Sequence, residues 1–294
     1  MKLPETNTKR PHPFPYQGSK RNIANYILPY FPHDIDRLIE PFCGSGAVSI
    51  AAAVYGMVSK FHFNDLNLPL MNLWEEILNK PNELVDKYEI LWNDQHYDKK
   101  EFFIKIREEF NNTHKPHYLL YLLARIVKGA VRYNSEGKFN QSADNRRSGM
   151  RPNTMRQQIQ GVSKLLSKKI TTSANDFRDV LSFCNEQDLV YMDPPYQGTS
   201  FTRDHRYYNG LSFDEFVEAL YMLNKNGISY IISYDGKTLP SKLKLKHFHI
   251  YAGRSSQATL LRNIEQTVES LYISPALVDR LKPHSYKQQE LVFS

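Results

Sequence analysis

Residues 36–55 read DRLIEPFCGSGAVSIAAAVY, and the change of composition along them decides the fold. Asp36 to Phe42 is a β-branched and apolar run, Cys43-Gly44-Ser45-Gly46 is a turn, and Ala47 to Tyr55 is strongly helix-forming. A strand, a glycine turn and a helix in that order let the backbone approach a nucleotide closely. The next strand candidate, Lys60 to Asn64, alternates Phe61 and Phe63 and ends in Asp65, an acid placed to accept hydrogen bonds from ribose hydroxyls. This half-site fits a dinucleotide or S-adenosylmethionine equally well. Ser49 stands where a third glycine would complete Gly-x-Gly-x-x-Gly, which weakens the dinucleotide alternative. A tight glycine turn without a ligand stays open on these residues alone.

Outward from this unit the periodicity changes twice. Residues 1–15 form an extended, Pro-rich arm, followed by Tyr16-Gln17-Gly18-Ser19-Lys20 and a helical pattern from Asn22 to Tyr30. From Leu68 to about Lys128 the apolar residues recur at helical spacing, with Trp74, Ile77, Leu78 and Leu84 among them. Val131 to Asn140 reads as a hairpin around a polar turn, and Asp144 to Arg151 as a basic loop. A helix over Asn153–Lys168 then leads to strands at Ile170–Ala174, Leu189–Met192 and Ser229–Tyr234, with a helix over Phe213–Asn224 between the last two. His247–Tyr251 and Glu269–Ser274 are strand candidates for an antiparallel hairpin closing the sheet. The pattern predicts an α/β chain of two lobes, one formed by 1–66 and 167–294 and the other, mainly helical and carrying the hairpin, by 67–166.

The chain has 294 residues, 41% of them hydrophobic, enough for one sizeable core and a smaller lobe. A net charge of +7 favours an anionic partner, because basic surfaces release counterions from phosphates. Cys43 and Cys184 have no metal-ligand spacing and cannot make a disulfide framework, and the histidines show no paired spacing, so no metal is expected. The start lacks an apolar signal stretch, and no run of about 18 apolar residues is present. A cytoplasmic, reduced protein is the expectation.

Asp193-Pro194-Pro195-Tyr196 follows the buried-type run Leu189-Val190-Tyr191-Met192, at the carboxyl end of a strand, where open α/β sheets bind ligands. The residue types suit the methylation of an amino nitrogen. An exocyclic amino group on a base is a poor nucleophile because its lone pair is delocalised into the ring. Two acceptors, the Asp193 carboxylate and the Pro194 carbonyl, would hold both amino protons and favour a pyramidal nitrogen with its lone pair aimed at a sulfonium methyl. The prolines stiffen this acceptor, and Tyr196 would stack on a base extruded from a duplex.

These motifs together resemble the Dam-like class of DNA N6-adenine methyltransferases, whose motif order the chain follows over most of its length. Tyr16-Gln17-Gly18-Ser19-Lys20 resembles the family's aromatic-x-Gly-x-Lys motif, Phe42 to Gly46 its cofactor loop, and Asn175-Asp176-Phe177 the segment that contacts the cofactor adenine. The resemblance implies a Rossmann-like methyltransferase sheet, S-adenosylmethionine as cofactor and double-stranded DNA as substrate. It implies cofactor contacts from Tyr16, Lys20, Phe42, Gly44, Gly46, Asp65, Asp176, Phe177 and Asp193, and catalysis at Asp193, Pro194, Pro195 and Tyr196. The family's target-recognition region lies between the ribose acid and the Asp-Pro-Pro-Tyr motif. There Arg132, Tyr133, Asn134, Lys138, Asn140, Arg146 and Arg147 would meet DNA, reading base edges or contacting phosphates. Tyr16 in place of the common Trp, Gln17 and Cys43 mark a divergent branch, which favours the protective enzyme of a restriction-modification system with a cognate endonuclease acting on the same site. Arg203, His205, Arg206, Tyr207 and Tyr208 could form a loop over the flipped base.

C5-cytosine methylation needs a nucleophilic cysteine in a Pro-Cys pair, and both cysteines here follow Phe. A nuclease built on Glu136-Gly137-Lys138 lacks a nearby preceding aspartate, Asp98 being the nearest. N4-cytosine methylation shares the geometry but more often has Ser at the position of Asp193. Amino methylation of RNA or of a protein glutamine shares the four-residue motif, and the basic charge and hairpin favour DNA over both.

Overall fold

The computed structural model describes residues 9–195, 211–234, 237–252 and 267–281. Seven strands are present among them: β1 (Arg37–Glu40), β2 (Lys60–Asn64), β3 (Ile170–Ser173), β4 (Asp188–Met192), β5 (Ser229–Ser233), β6 (Lys246–Ala252) and β7 (Thr267–Ile273). They form one sheet in the order β3-β2-β1-β4-β5-β7-β6. Neighbours from β3 to β5 are parallel, whereas β7 is antiparallel to both β5 and β6. The expected closing hairpin is therefore present, with its second strand inserted inside the first.

The apolar run of each central strand is buried on both faces, the pattern that helices on both sides of a sheet demand. Alternate residues go to opposite cores. Leu38, Leu189, Tyr191 and Ile231 join one apolar cluster, and Ile39, Val190, Met192, Tyr230 and Ile232 join the other. The helices are α1 (Ala24–Ile27), α2 (Ala47–Val54), α3 (Leu68–Asn79), α4 (Pro81–Asp94), α5 (Lys99–Thr113), α6 (Pro116–Arg125), α7 (Pro152–Leu166), α8 (Phe177–Ser182) and α9 (Phe213–Lys225). Side chains of α2 and of α3 to α7 share the first cluster, while α8 and α9 supply the second. The helices between β2 and β3 thus pack continuously onto the sheet's first layer, with Trp74 fully buried at the junction.

Two local expectations differ from the structure. The predicted helix over Asn22–Tyr30 is broken into a 3-10 turn (Lys20–Asn22), α1 and a second 3-10 turn (Leu28–Tyr30). Pro29 lacks the amide that would continue α1, and its ring clashes with a carbonyl one turn back. The hairpin of 131–140 is reduced to a single antiparallel bridge, Tyr133 with Phe139. Asn134 Oδ1 accepts the amides of Glu136 and Lys138 at 3.0 and 2.9 Å, so a side chain takes bonds that a ladder would otherwise use.

Arg37 clamps Asp188 at the entry of β1 and β4 through two bonds of 3.0 and 2.8 Å, fixing the register of the strands that carry the site. No helix among the described residues is long and apolar enough to cross a membrane.

Candidate active site

The glycine turn is held by its neighbours before any ligand is considered. Cys43 N donates to the Asn64 carbonyl at 2.8 Å, and Gly46 N donates to the Cys43 carbonyl at 2.7 Å. Gly44 and Gly46 have φ of +47° and +58°, the left-handed region that only glycine adopts without penalty. Their surroundings differ. A Cβ on Gly44 would stand 3.1 Å from the Tyr16 ring, at the edge of a cleft, whereas one on Gly46 would overlap the Phe63 ring at 2.6 Å. Trp74 Nε1 donates to the Gly44 carbonyl at 2.9 Å, tying the turn to α3.

Two adjoining clefts open above the carboxyl ends of β1, β2 and β4, with about 410 and 790 Å³ of empty space. The smaller is lined by the Tyr16–Lys20 segment, Glu40, the glycine turn, Asp65, Tyr191 and Asp193. The larger is lined by Phe42, Asn64, Asp65, Asn175, Asp176, Phe177 and Pro195, among others. Phe42 and Asp65 line both, so the two clefts meet there.

Asp65 accepts the Gly44 amide at 3.2 Å and the Asn67 amide at 3.0 Å, while burial pushes its carboxyl up to about 6. Each of its oxygens keeps a lone pair for a further donor. Glu40 is likewise buried, which raises it to about 7, and Ser49 opposes the rise by donating its amide at 2.8 Å and its hydroxyl to Glu40 Oε1. Lys20 is pulled down by burial, but the nearby Asp193, Tyr191 and Glu269 outweigh that and hold it above the usual lysine range. Its Nζ lies 3.1 Å from Asp193 Oδ1. The Cys43 thiol is raised well above its ordinary value by burial, which leaves it inert as a nucleophile.

In the larger cleft, Phe42 and Phe177 face each other with ring centroids 5.4 Å apart. Asn64 links the strand ends by donating to the carbonyls of Pro41 and Asn175, both at 3.0 Å. Asp176 caps α8 by accepting the Arg178 amide at 2.9 Å.

Of the residues singled out in the sequence, Tyr16, Lys20, Phe42, Gly44, Asp65, Asp176, Phe177, Asp193 and Pro195 come together around these clefts. Gly46 lines neither cleft and meets Phe63 and Trp74 instead. Pro194 is buried beside Asp193, and Tyr196 lies outside the described residues, as do Arg203, His205, Arg206, Tyr207 and Tyr208. No sequence motif marked a site role for Glu40, for Ser49 as a partner of Glu40, or for Tyr191, Trp74 or Glu269. Only Glu40 carried a readable cue, an acid that ends β1 with two residues between it and the glycine turn. Glu269 carried none, because its partner Lys20 lies near the other end of the chain.

The hairpin and basic loop lie apart from the clefts' lining. Tyr133 is tied to Asn67 by its hydroxyl at 3.2 Å, and Asn134 holds its own turn. Arg132, Lys138, Asn140, Arg146 and Arg147 are exposed; Lys138 pairs with Glu136 at 3.0 Å, and Arg146 and Arg147 pair with Asp144 at 3.0 and 3.7 Å. Gly129 joins this segment to the N-terminal motif: Gln17 N donates to its carbonyl at 3.0 Å, and a Cβ there would meet the Pro15 backbone at 2.7 Å.

The profile of the D12 class of N6 adenine-specific DNA methyltransferases matches residues 16–267, spanning every residue that lines the two clefts. The chain belongs to that family. Among relatives of the D12-class chain, a type II methyltransferase, M1.LlaDCHI of Lactococcus lactis subsp. cremoris, is 26% identical over 85% of this chain and 90% of its own. The retron Ec67 DNA adenine methylase of Escherichia coli is 27% identical over 82% of this chain and 83% of its own. The DNA N-6-adenine-methyltransferase of Escherichia phage P1 is 26% identical over 76% of this chain, which spans 29% of that longer protein.

The cleft residues fit the cofactor that a methyltransferase of this family implies. Phe42 and Phe177 give the larger cleft an apolar wall that suits a purine, and Asp65 suits a ribose. Asp65 and Asp193 give the smaller cleft carboxylates that suit a ligand carrying an ammonium and a sulfonium. Among the described residues no group of three or more His, Cys, Asp or Glu side chains could hold a metal ion.

Proposed function

We propose that this D12-class enzyme methylates N6 of a flipped-out adenine in double-stranded DNA, with S-adenosylmethionine as donor. The observation that carries the mechanism is the Asp193 carboxylate, at the end of β4 in the smaller cleft, with its neighbour Pro195 lining the larger one and Lys20 held against it. Bound in the two clefts, the cofactor would supply a sulfonium methyl. Phe42 and Phe177 would form an apolar wall against its adenine, Asp65 would accept from its ribose hydroxyls, and the Tyr16–Lys20 segment with Glu40 would hold its amino-acid end.

Asp193 and the Pro194 carbonyl accept the two hydrogens of the target amino group, which localises the nitrogen lone pair as positive charge develops there. Asp193 stands at the acceptor position where N4-cytosine enzymes more often carry Ser, which favours adenine as the target. Residues 67–166 act as the target-recognition domain. Arg132, Asn140, Lys138, Arg146 and Arg147 project from it to phosphates and base edges, and Tyr133 and Asn134 shape the turn that presents them. A duplex target must be extruded to reach Asp193, at a cost of a few kcal/mol in lost stacking. The restriction-modification names borne by several relatives support a protective role beside an endonuclease that cuts the same site.

The test is methyl transfer from labelled S-adenosylmethionine to unmethylated genomic DNA, with nucleoside mass spectrometry and an Asp193→Ala control. N6-methyladenine that disappears in the control is the expected result. N4-methylcytosine would overturn the base assignment, and unmodified DNA would overturn the substrate.

A further inference from the structure

Lys20 sits between two carboxylates rather than beside one. Its Nζ is 3.1 Å from Asp193 Oδ1 and 2.9 Å from Glu269 Oε1, and the Lys20 and Glu269 side chains are only 9% and 13% exposed. The three residues arrive from distant places: the 3-10 turn after the N-terminal motif, the end of β4, and β7. Glu269 is carried to Lys20 because β7 runs antiparallel between β5 and β6, opposite Ile250. It lines neither cleft, so it meets the reaction through Lys20.

The charges that face Asp193 among the described residues define what Glu269 does. From the turn comes Lys20, from β1 Glu40, and from β4 Tyr191, whose hydroxyl is bonded to Ser233 of β5 at 2.7 Å. Tyr191 stays protonated, since burial and then Asp193 raise its phenol well above the ordinary value. An ammonium paired with Asp193 alone would draw electron density from the carboxylate and weaken it as an acceptor. A second carboxylate on the same ammonium divides that pull, and its negative charge raises the proton affinity of its neighbour.

We propose that Glu269 is a positioning residue for methyl transfer: it anchors the Lys20 ammonium on the β7 side, so that Asp193 stays fixed yet remains a strong acceptor for the target amino group. This role rests on the adenine-methylating function proposed above. It predicts a loss in the chemical step without a matching loss in cofactor binding, because Glu269 lies outside both clefts.

The experiment uses the full chain with Glu269→Gln and Glu269→Asp, each checked for folding by its circular-dichroism melt. Single-turnover methylation of DNA is followed from about pH 5 to 9, and S-adenosylmethionine binding is measured by titration calorimetry. Glu269→Gln is expected to transfer about tenfold more slowly, with its acid limb about one pH unit lower, as removal of a neighbouring negative charge requires. Cofactor affinity should stay within about twofold, and Glu269→Asp should keep the wild-type acid limb, because the limb's position is set by the negative charge that Asp retains. An unmoved limb in Glu269→Gln, a wild-type rate, or a rate loss accounted for by weaker cofactor binding would overturn the role. Should Glu269→Gln not fold, a displaced acid limb in Glu269→Asp would overturn it equally. Wild-type enzyme that leaves DNA unmodified sinks the functional assignment, and the role of Glu269 with it; active wild type beside unaltered variants sinks the role alone.

Discussion

The two glycines of the turn, two residues apart and both left-handed, should respond to the same substitution in different ways. An alanine at Gly46 must adopt φ near +58° and place its methyl 2.6 Å from two atoms of the Phe63 ring and 3.2 Å from Trp74. Phe63 and Trp74 are both fully buried, so neither can swing away. The left-handed backbone costs about 1–2 kcal/mol and overpacking of a close-packed core about 1–3 kcal/mol more. At about 2–4 °C per kcal/mol for a chain of this order of size, Gly46→Ala should melt roughly 4–20 °C below wild type. Gly44→Ala carries the same backbone penalty, but its methyl meets the side chain of the half-buried Tyr16 at 3.1 Å, at the rim of the smaller cleft. It should lose about half as much melting temperature or less, while displacement of Tyr16 weakens S-adenosylmethionine binding by about tenfold, equivalent to 1.4 kcal/mol. Differential scanning calorimetry and isothermal titration of both variants decide the matter. A Gly46→Ala melt within about 2 °C of wild type would refute the packing argument, and cofactor affinity lost in Gly46→Ala but kept in Gly44→Ala would reverse the assignment of the two positions.

Glu40 should leave a mark on the pH dependence of stability. Burial raises its folded carboxyl from 4.5 to about 7, so between those values the folded chain holds a proton that the unfolded chain has released. Its contribution is therefore fully present below about pH 4.5 and is lost as pH rises to about 7, a change of about 3 kcal/mol. Glu40→Gln keeps an acceptor for Ser49 and should flatten the melting-temperature profile across that window; a slope equal to that of wild type would show that Glu40 does not hold the proton. Arg132→Ala, on the exposed segment before the turn, should lower the slope of log Kd against log salt for DNA by about 1 without altering cofactor affinity. An unchanged slope in fluorescence anisotropy titrations would place Arg132 off the DNA.

Sequence alone determined what depends on neighbours along the chain. Strand, turn and helix over 36–55 were legible because the apolar run, the glycines and the alanine-rich stretch each satisfy a local backbone requirement, and β2 was legible to its last residue for the same reason. Asp193 could be singled out because its four-residue motif follows a strand directly. The broken helix at Ala24–Ile27 was local too, and Pro29 was the sign that a periodicity reading overlooked. Only the tertiary structure separated Gly44 from Gly46, since both present the same backbone and differ in what a missing side chain would touch. It alone brought Glu269 to Lys20 and Trp74 to the Gly44 carbonyl. Those partners come together because β7 enters the sheet between β5 and β6 and α3 packs against the turn, and the free energy that closes such long loops comes from burying the two cores, which leaves no local trace in the order of residues.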